Sequence, residues 1–207
     1  METVMSICVG IGLSAACGFR VFVPLLVMSI ASLSGHLTLG HGFEWIGSYP
    51  ALLAFSVATC IEIAGYYIPW VDHLLDTIAT PAAIIAGTIV TASMVTDMSP
   101  FLKWTLAAIA GGGVAGLVQG TTVVTRGAST LVSGGFANPM FATIELGGAV
   151  VTSVLAIIAP LLAITLMCML LLFGSKVLAK RRKSEARSPK AERNPKSEIR
   201  TQSLLAE

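Results

Sequence analysis

Charge is what this sequence has least of. Only 12% of its 207 residues are Asp, Glu, Lys or Arg, while 55% are hydrophobic and the mean hydropathy is +0.83. A soluble domain carries about 25% charged residues, so a soluble globular protein is excluded. The chain also lacks HExxH, GxSxG, a Walker A loop, CxxCH and any DxxxD pair inside an apolar segment, so no enzyme class has a motif to stand on and no catalytic residue or cofactor is expected. Cysteine is sparse: Cys8, Cys17, Cys60 and Cys168 lie inside apolar stretches without a CxxC pair. They read as small packing residues, not as a disulfide framework or metal site. LSAAC at 13–17 has the outline of a lipoprotein cleavage site, but Glu2 stands where a basic residue is needed, so cleavage is not expected.

What is present is a hydrophobic body and a basic tail. Residues 1–175 hold three basic and seven acidic side chains, a net of −4; residues 176–207 hold ten basic and four acidic, a net of +6. The tail, 179–207, is too polar to bury a core and reads as disordered. Lys180, Arg181, Arg182 and Lys183 follow the last apolar run, which by the positive-inside rule places the C-terminus in the cytoplasm of a bacterial inner membrane. The same cluster suits anionic lipid headgroups. The bilayer is the expected partner, with room for a homo-oligomer or a membrane-complex subunit; nothing points to nucleic acid.

The expected fold class is all-α and polytopic, with six spans at about 5–33, 50–70, 81–97, 101–125, 139–158 and 160–178. Pro50, Pro81 and Pro139 open helices, and VDHLLDTIAT (71–80) reads as an amphipathic connector. The first segment is longer than one span needs and is interrupted by Gly18, Arg20 and Pro24. The last apolar stretch would be about 52 Å long as one helix, against a hydrocarbon core of about 30 Å, so it is split at Ala159–Pro160, with a kinked single helix as the alternative. An even number of spans puts the N-terminus inside as well.

Two internal matches suggest a repeat. Gly10, Ser14 and Gly18 share their spacing with Gly112, Gly116 and Gly120, and CIEIAG (60–65) matches TIELGG (143–148), pairing Glu62 with Glu145. Three-span repeats have odd parity and would be inverted, as in many secondary transporters with a midplane site. Small-residue faces permit close helix packing.

Arg20, Glu62 and Glu145 lie deep in apolar segments. Each ionised group at the bilayer centre costs about 2.5–3.5 kcal/mol, so they must be paired, hydrated or, for Glu, protonated. One reading is a buried ion pair that only fixes helix register; the other is a polar cavity for a cation, a proton or an anionic headgroup. Asp72 and Asp76, four apart with His73 between, either bind a hard cation or collect protons, or form a solvated face at a helix N-terminus. His36, His41 and Glu44 specify no metal geometry, so no metal site is expected. Arg126 is expected to snorkel to phosphates at the cytoplasmic side.

The stretches GIGLSAACGFRVFVPLL (10–26), EIAGYYIPWVDHLLDTIATPAAIIAG (62–87), GGGVAGLVQGTTVVTRGAS (111–129) and NPMFATIELGG (138–148) resemble the bacterial and plastid integral-membrane family known as domain of unknown function 4126, over about residues 5–178. The motif positions of that resemblance are Arg20, Glu62, Asp72, Asp76, Arg126, Asn138 and Glu145. Tyr66–Tyr67 and Thr80 depart from the family's commoner pattern, which has an Asp-Lys pair and an Arg there. The resemblance implies an architecture but no mechanism. The function expected from the residues is a small secondary transporter or channel-like permease for a cation, a proton or a small solute, the alternatives being a non-catalytic scaffold, an accessory subunit or a lipid-handling protein.

Overall fold

Prolines set where most of the helices begin. A residue without an N–H costs nothing in the first helical turn, and Pro50, Pro69 and Pro100 occupy it in α3 (Tyr49–Tyr66), α4 (Pro69–Met94) and α5 (Pro100–Leu106). Pro139 is the second residue of α7 (Asn138–Ile158), and Pro160 is the first of the short apolar helix α8 (Pro160–Met169). Ahead of these lie α1 (Glu2–Cys17) and α2 (Phe22–Leu33). A π segment, Ala107–Gly112, joins α5 to α6 (Gly113–Ser133). The structure is a computed structural model that describes residues 2–133, 138–169, 172 and 176. The basic cluster Lys180–Lys183 and the rest of the tail lie outside the described residues. The body of the molecule spans residues 1–167.

The protein is an all-helical membrane protein. Among the described residues four helical stretches are long and apolar enough to cross a bilayer: Tyr49–Tyr66, Leu74–Met94, Pro100–Leu131 and Asn138–Ile158. Their interior is built from small and polar residues, with Ser14, Ser29, Thr91, Ser93 and Ser153 fully buried beside Ala15, Ala16, Ala83 and Ala149. Large aliphatics face outward instead, as Leu53, Val57 and Ile61 do down one side of α3 and Ile144, Val151 and Ile158 down one side of α7. In water this distribution would be costly; in lipid, packing of small residues is what holds helices together. At one end an aromatic belt marks an interface. Phe43 lies 6.3 Å from Trp104, Trp45 lies 6.1 Å from Phe55, and Lys103 reaches over the Phe43 ring.

The first apolar segment is not one span. The helix stops at Cys17, turns through Gly18–Val21 and restarts at Phe22. After α2 the chain is back beside the end of α4, where the Gly40 N–H donates to the Ser93 carbonyl at 2.7 Å. Gly10 of α1 meets that same part of α4, at Thr91 and Met94. α1 and α2 are therefore a hairpin, and residue 34 returns to the side on which α1 starts. This overturns the assignment of 5–33 as a single crossing.

The connector expected at 71–80 and the span expected from Pro81 are likewise one helix. Two prolines competed to open it and Pro69, preceded by extended Ile68, does so; Pro81 sits inside α4 and gives no N–H to its ladder. At Ala159–Pro160 the chain bends sharply. A Cβ built on Gly12 would lie 2.8 Å from the Ala156 Cβ and 3.6 Å from the Ala163 Cβ. Those two atoms are thus closer together than the roughly 10.5 Å that seven residues of straight helix would rise.

The glycine faces pack, but not as an inverted repeat. Gly10 and Ser14 of α1 meet Thr91 and Gly87 of α4 in antiparallel order, and Gly111 and Gly116 meet Thr91 and Ile84 of α4, also antiparallel. α1 and α6 therefore run the same way, whereas α3 and α7, which carry the matched glutamates, run opposite ways. No single symmetry operation relates both pairs, and the two sequence matches do not define an inverted three-helix repeat. The close approaches are nonetheless real. A Cβ on Gly18 would lie 2.6 Å from the Ala115 carbonyl oxygen, one on Gly111 would lie 2.6 Å from the Gly87 carbonyl oxygen, and one on Gly112 would meet Thr88 and Ile84. Gly120 meets nothing within 4 Å and is not a packing residue. Two hydroxyls add interhelical bonds: Ser14 Oγ donates to the Gly111 carbonyl and Thr91 Oγ1 to the Gly10 carbonyl.

A candidate site at one end of the bundle

The hairpin turn sets the site. Arg20 lies in it with only 2% of its surface exposed, at the end of the bundle where α3 finishes and α7 begins. Its Nη2 donates to the Ala142 carbonyl at 2.9 Å and lies 3.8 Å from Glu145 Oε2, and its guanidinium sits over the Tyr66 ring, 3.7 Å from the centroid. Its Nε and Nη1 are buried without a hydrogen-bond partner among the described residues.

Glu145, two turns into α7, is held chiefly by Arg126. Nε of that arginine donates to Oε1 at 2.9 Å, and Nη2 pairs with Oε2. Nη1 reaches Asp76 Oδ1 on α4 at 3.3 Å, and the guanidinium lies 4.2 Å from the Tyr66 ring centroid. A two-pronged arginine–carboxylate contact is among the stronger polar interactions available in a low-dielectric interior. The expectation that Arg126 snorkels to phosphates is corrected: α6 continues to Ser133, so Arg126 is two turns inside the helix and is buried. Asn138 closes the α6–α7 connection, its Nδ2 donating to Thr130 Oγ1 at 3.2 Å.

Glu62 has a different task. From the last turns of α3 its carboxylate accepts the Val21 N–H at 2.8 Å and the Phe22 N–H at 3.1 Å. α2 has no side-chain cap of its own at Val21, so Glu62 caps it from another helix, placing negative charge at a helix N-terminus where the dipole favours it. The two glutamates thus do not share a midplane cavity. They lie at the same end of the bundle, Glu145 with both arginines and Glu62 with backbone amides. Beside Glu62 lies a cavity of about 310 Å³ whose whole lining is almost entirely apolar, with Phe22, Ile61, Leu75 and Ile78 prominent.

The remaining sequence candidates divide. Asp76 joins the cluster; Asp72 lies in the first turn of α4, but its side chain and that of His73 lie outside the described residues. In the 34–48 loop the Glu44 carboxylate accepts from its own backbone N–H and from that of Gly42, at 2.8 Å, and these amides hold its pKa below the usual carboxylate range. Tyr66 was missed by motif reasoning and is the shared surface for both arginines. Its signal in the sequence is an aromatic residue four positions after Glu62, one helical turn on.

The family model described as domain of unknown function DUF4126 matches residues 7–180. The chain belongs to this family. No curated protein and no solved structure matches it. The family description carries no activity, so the chemistry has to be read from the cluster itself.

Proposed function

We propose that this DUF4126 protein is a small secondary permease of the bacterial cytoplasmic membrane that moves a proton or a cation, with its basic C-terminal tail in the cytoplasm and no enzymatic activity. In this reading the four long helices cross the bilayer and the α1–α2 hairpin enters beside them. The carrying observation is the unequal treatment of the two buried glutamates. Glu145 is neutralised by Arg126 and Arg20, whereas Glu62 has no cationic side chain within ion-pair distance among the described residues and borders a cavity. A bundle that needs only a fixed ion pair has no use for the second carboxylate near its end, where a serine hydroxyl would cap α2 at lower cost. An interrupted helix pair at a charged site is also a recurring transporter device.

A scaffold is the second reading, favoured by the closure of the Glu145–Arg126–Asp76 contacts. The two separate in proteoliposomes carrying a pH-sensitive dye inside. The wild type is expected to give proton flux above protein-free vesicles under an imposed potential, and Glu62→Gln to reduce it at least tenfold. Flux at the protein-free level for the folded wild type would remove the permease reading and leave the scaffold.

A further inference from the structure

We infer that the cavity beside Glu62 seats an acyl chain of a membrane phospholipid, which enters from the side between α3 and α4 and packs against the start of α2. The inference does not depend on the permease reading.

Small side chains make the room. Ala58 of α3 and Ala79 and Ala82 of α4 stand where larger residues would close the space, and Val21 and Phe22 supply a third wall. Ile61 and Ile78 border the same cavity and are more than half exposed, whereas Val21 and Ala79 are each only 7% exposed. The cavity therefore opens toward the lipid around the spanning helices and runs past their outer surface into the bundle. Lipid that merely coats the helices would touch the isoleucines and not the residues behind them. Along α3 the wall runs from Ala58 to Tyr66, the last helical residue, about 12 Å of helix at 1.5 Å per residue. That places it just inside the headgroup level, where the upper part of a phospholipid chain runs.

The lining decides what enters. It is almost wholly carbon, and Glu62 does not change this, because its two carboxylate oxygens are held by the Val21 and Phe22 amides. Water would find no hydrogen-bond partners there, and an ion would lose its hydration without replacement. Left empty, about 310 Å³ would deprive every wall of dispersion contacts. A hydrocarbon chain has no polar atom to satisfy and bends to fit. If a methylene takes about as much room as a water in the liquid, roughly 30 Å³, the space holds on the order of ten of them. In a bilayer, acyl chains are the hydrocarbon at hand. Seated there, the chain keeps water from competing for the two amides that Glu62 caps.

The test places the full chain in nanodiscs containing phosphatidylglycerol with a diazirine in the upper half of one acyl chain, followed by irradiation and mass-spectrometric mapping of the adducts. Adducts are expected on Val21 and Ala79 as well as on the lipid-facing Ile144 of α7. Ala58→Phe and Ala82→Phe fill the cavity from two different helices. Each should lower the Val21 adduct at least tenfold and leave the Ile144 adduct unchanged, and with two variants the test stays decisive if one does not fold. Adducts confined to Ile61 and Ile78 would mean surface lipid only, and their absence from Ile61 and Ile78 as well would mean that a second copy of the chain covers the opening. Either result overturns the assignment, as does a Val21 adduct that is unchanged in a folded variant.

Discussion

Removing a side chain from a buried charge cluster leaves its partners behind. Glu145 is the carboxylate shared by two arginines that are both about 98% buried, so Glu145→Gln leaves Asp76 beside Arg126 and a carbonyl beside Arg20 to hold two buried positive charges. Breaking a buried pair costs about 3–5 kcal/mol. Glu62→Gln removes a charged cap but keeps an amide oxygen to accept the Val21 or Phe22 N–H, a loss of about 1 kcal/mol. Thermal unfolding of the purified protein, followed by tryptophan fluorescence, should therefore show a much larger fall for Glu145→Gln than for Glu62→Gln. Equal falls would mean that the arginines find other partners. The sequence made these residues visible through the cost of charge in apolar segments, and it paired the glutamates by their neighbours. It did not disclose their different partners, because CIEIAG and TIELGG look alike while one sits at the end of its helix and the other near the start. Which charge meets which is decided by contacts between different helices, from Arg126 with Glu145, 19 residues apart along the chain, to Arg20 with Ala142, 122 apart.

At the scale of elements, the prolines and glycines carried most of what could be read. Pro50 and Pro139 open helices as their positions suggested, because the first turn needs no N–H. Pro81 does not, since Pro69 had already opened α4 and a proline inside a membrane helix is tolerated where neighbouring helices pack on it. The break at Gly18–Val21 was foreshadowed by Gly18, Arg20 and Pro24, but its consequence, a reversal of direction, depends on Glu62 capping α2 from α3. The glycine spacing located two packing faces and overextended one of them. Gly111, outside the matched triplet, makes the closest backbone approach to α4, and Gly120 makes none. Gly111→Ala is accordingly expected to destabilise the bundle by about 1–3 kcal/mol, the usual cost of overpacking, while Gly120→Ala should leave the melting temperature unchanged or slightly higher. Gly116→Leu falls between, because the atoms it meets are the ends of the Ile84 side chain and can give way. Thermal melts of the three variants in one detergent give the order directly.

For the whole molecule, the two ends of the bundle are chemically unlike. One has the loop 34–48 with its exposed Trp45, together with the exposed Tyr49 of α3 and Phe101 and Trp104 of α5; the other has Arg20, Tyr66, Arg126, Glu145 and Asp76. Because α1 and α2 form a hairpin, Gly42 and Asp97 are at one end of the bundle and Tyr67, after α3, is at the other. In a background freed of the four native cysteines, single cysteines at positions 42 and 97 should react with an impermeant maleimide from the same side, and a cysteine at 67 from the opposite side. Labelling of 42 and 67 from one side would contradict the hairpin. That reversal is what a hydropathy reading counts as a single crossing, since an apolar run interrupted by four residues keeps its average.

The hairpin also has a consequence for how the chain is made. α1 leaves the ribosome before most of its neighbours: α4, α6 and α7, against which it packs, are all synthesised after it. Arg20 emerges at the tip of a pair of helices of 16 and 12 residues, each shorter than the roughly 20 residues a stable crossing needs. Its carbonyl and carboxylate partners are more than 120 residues away. At about 5–20 residues per second, the tip must wait roughly 6–25 s with its guanidinium in water or among headgroups. The seat of the hairpin tip is thus completed only by a segment made well after it.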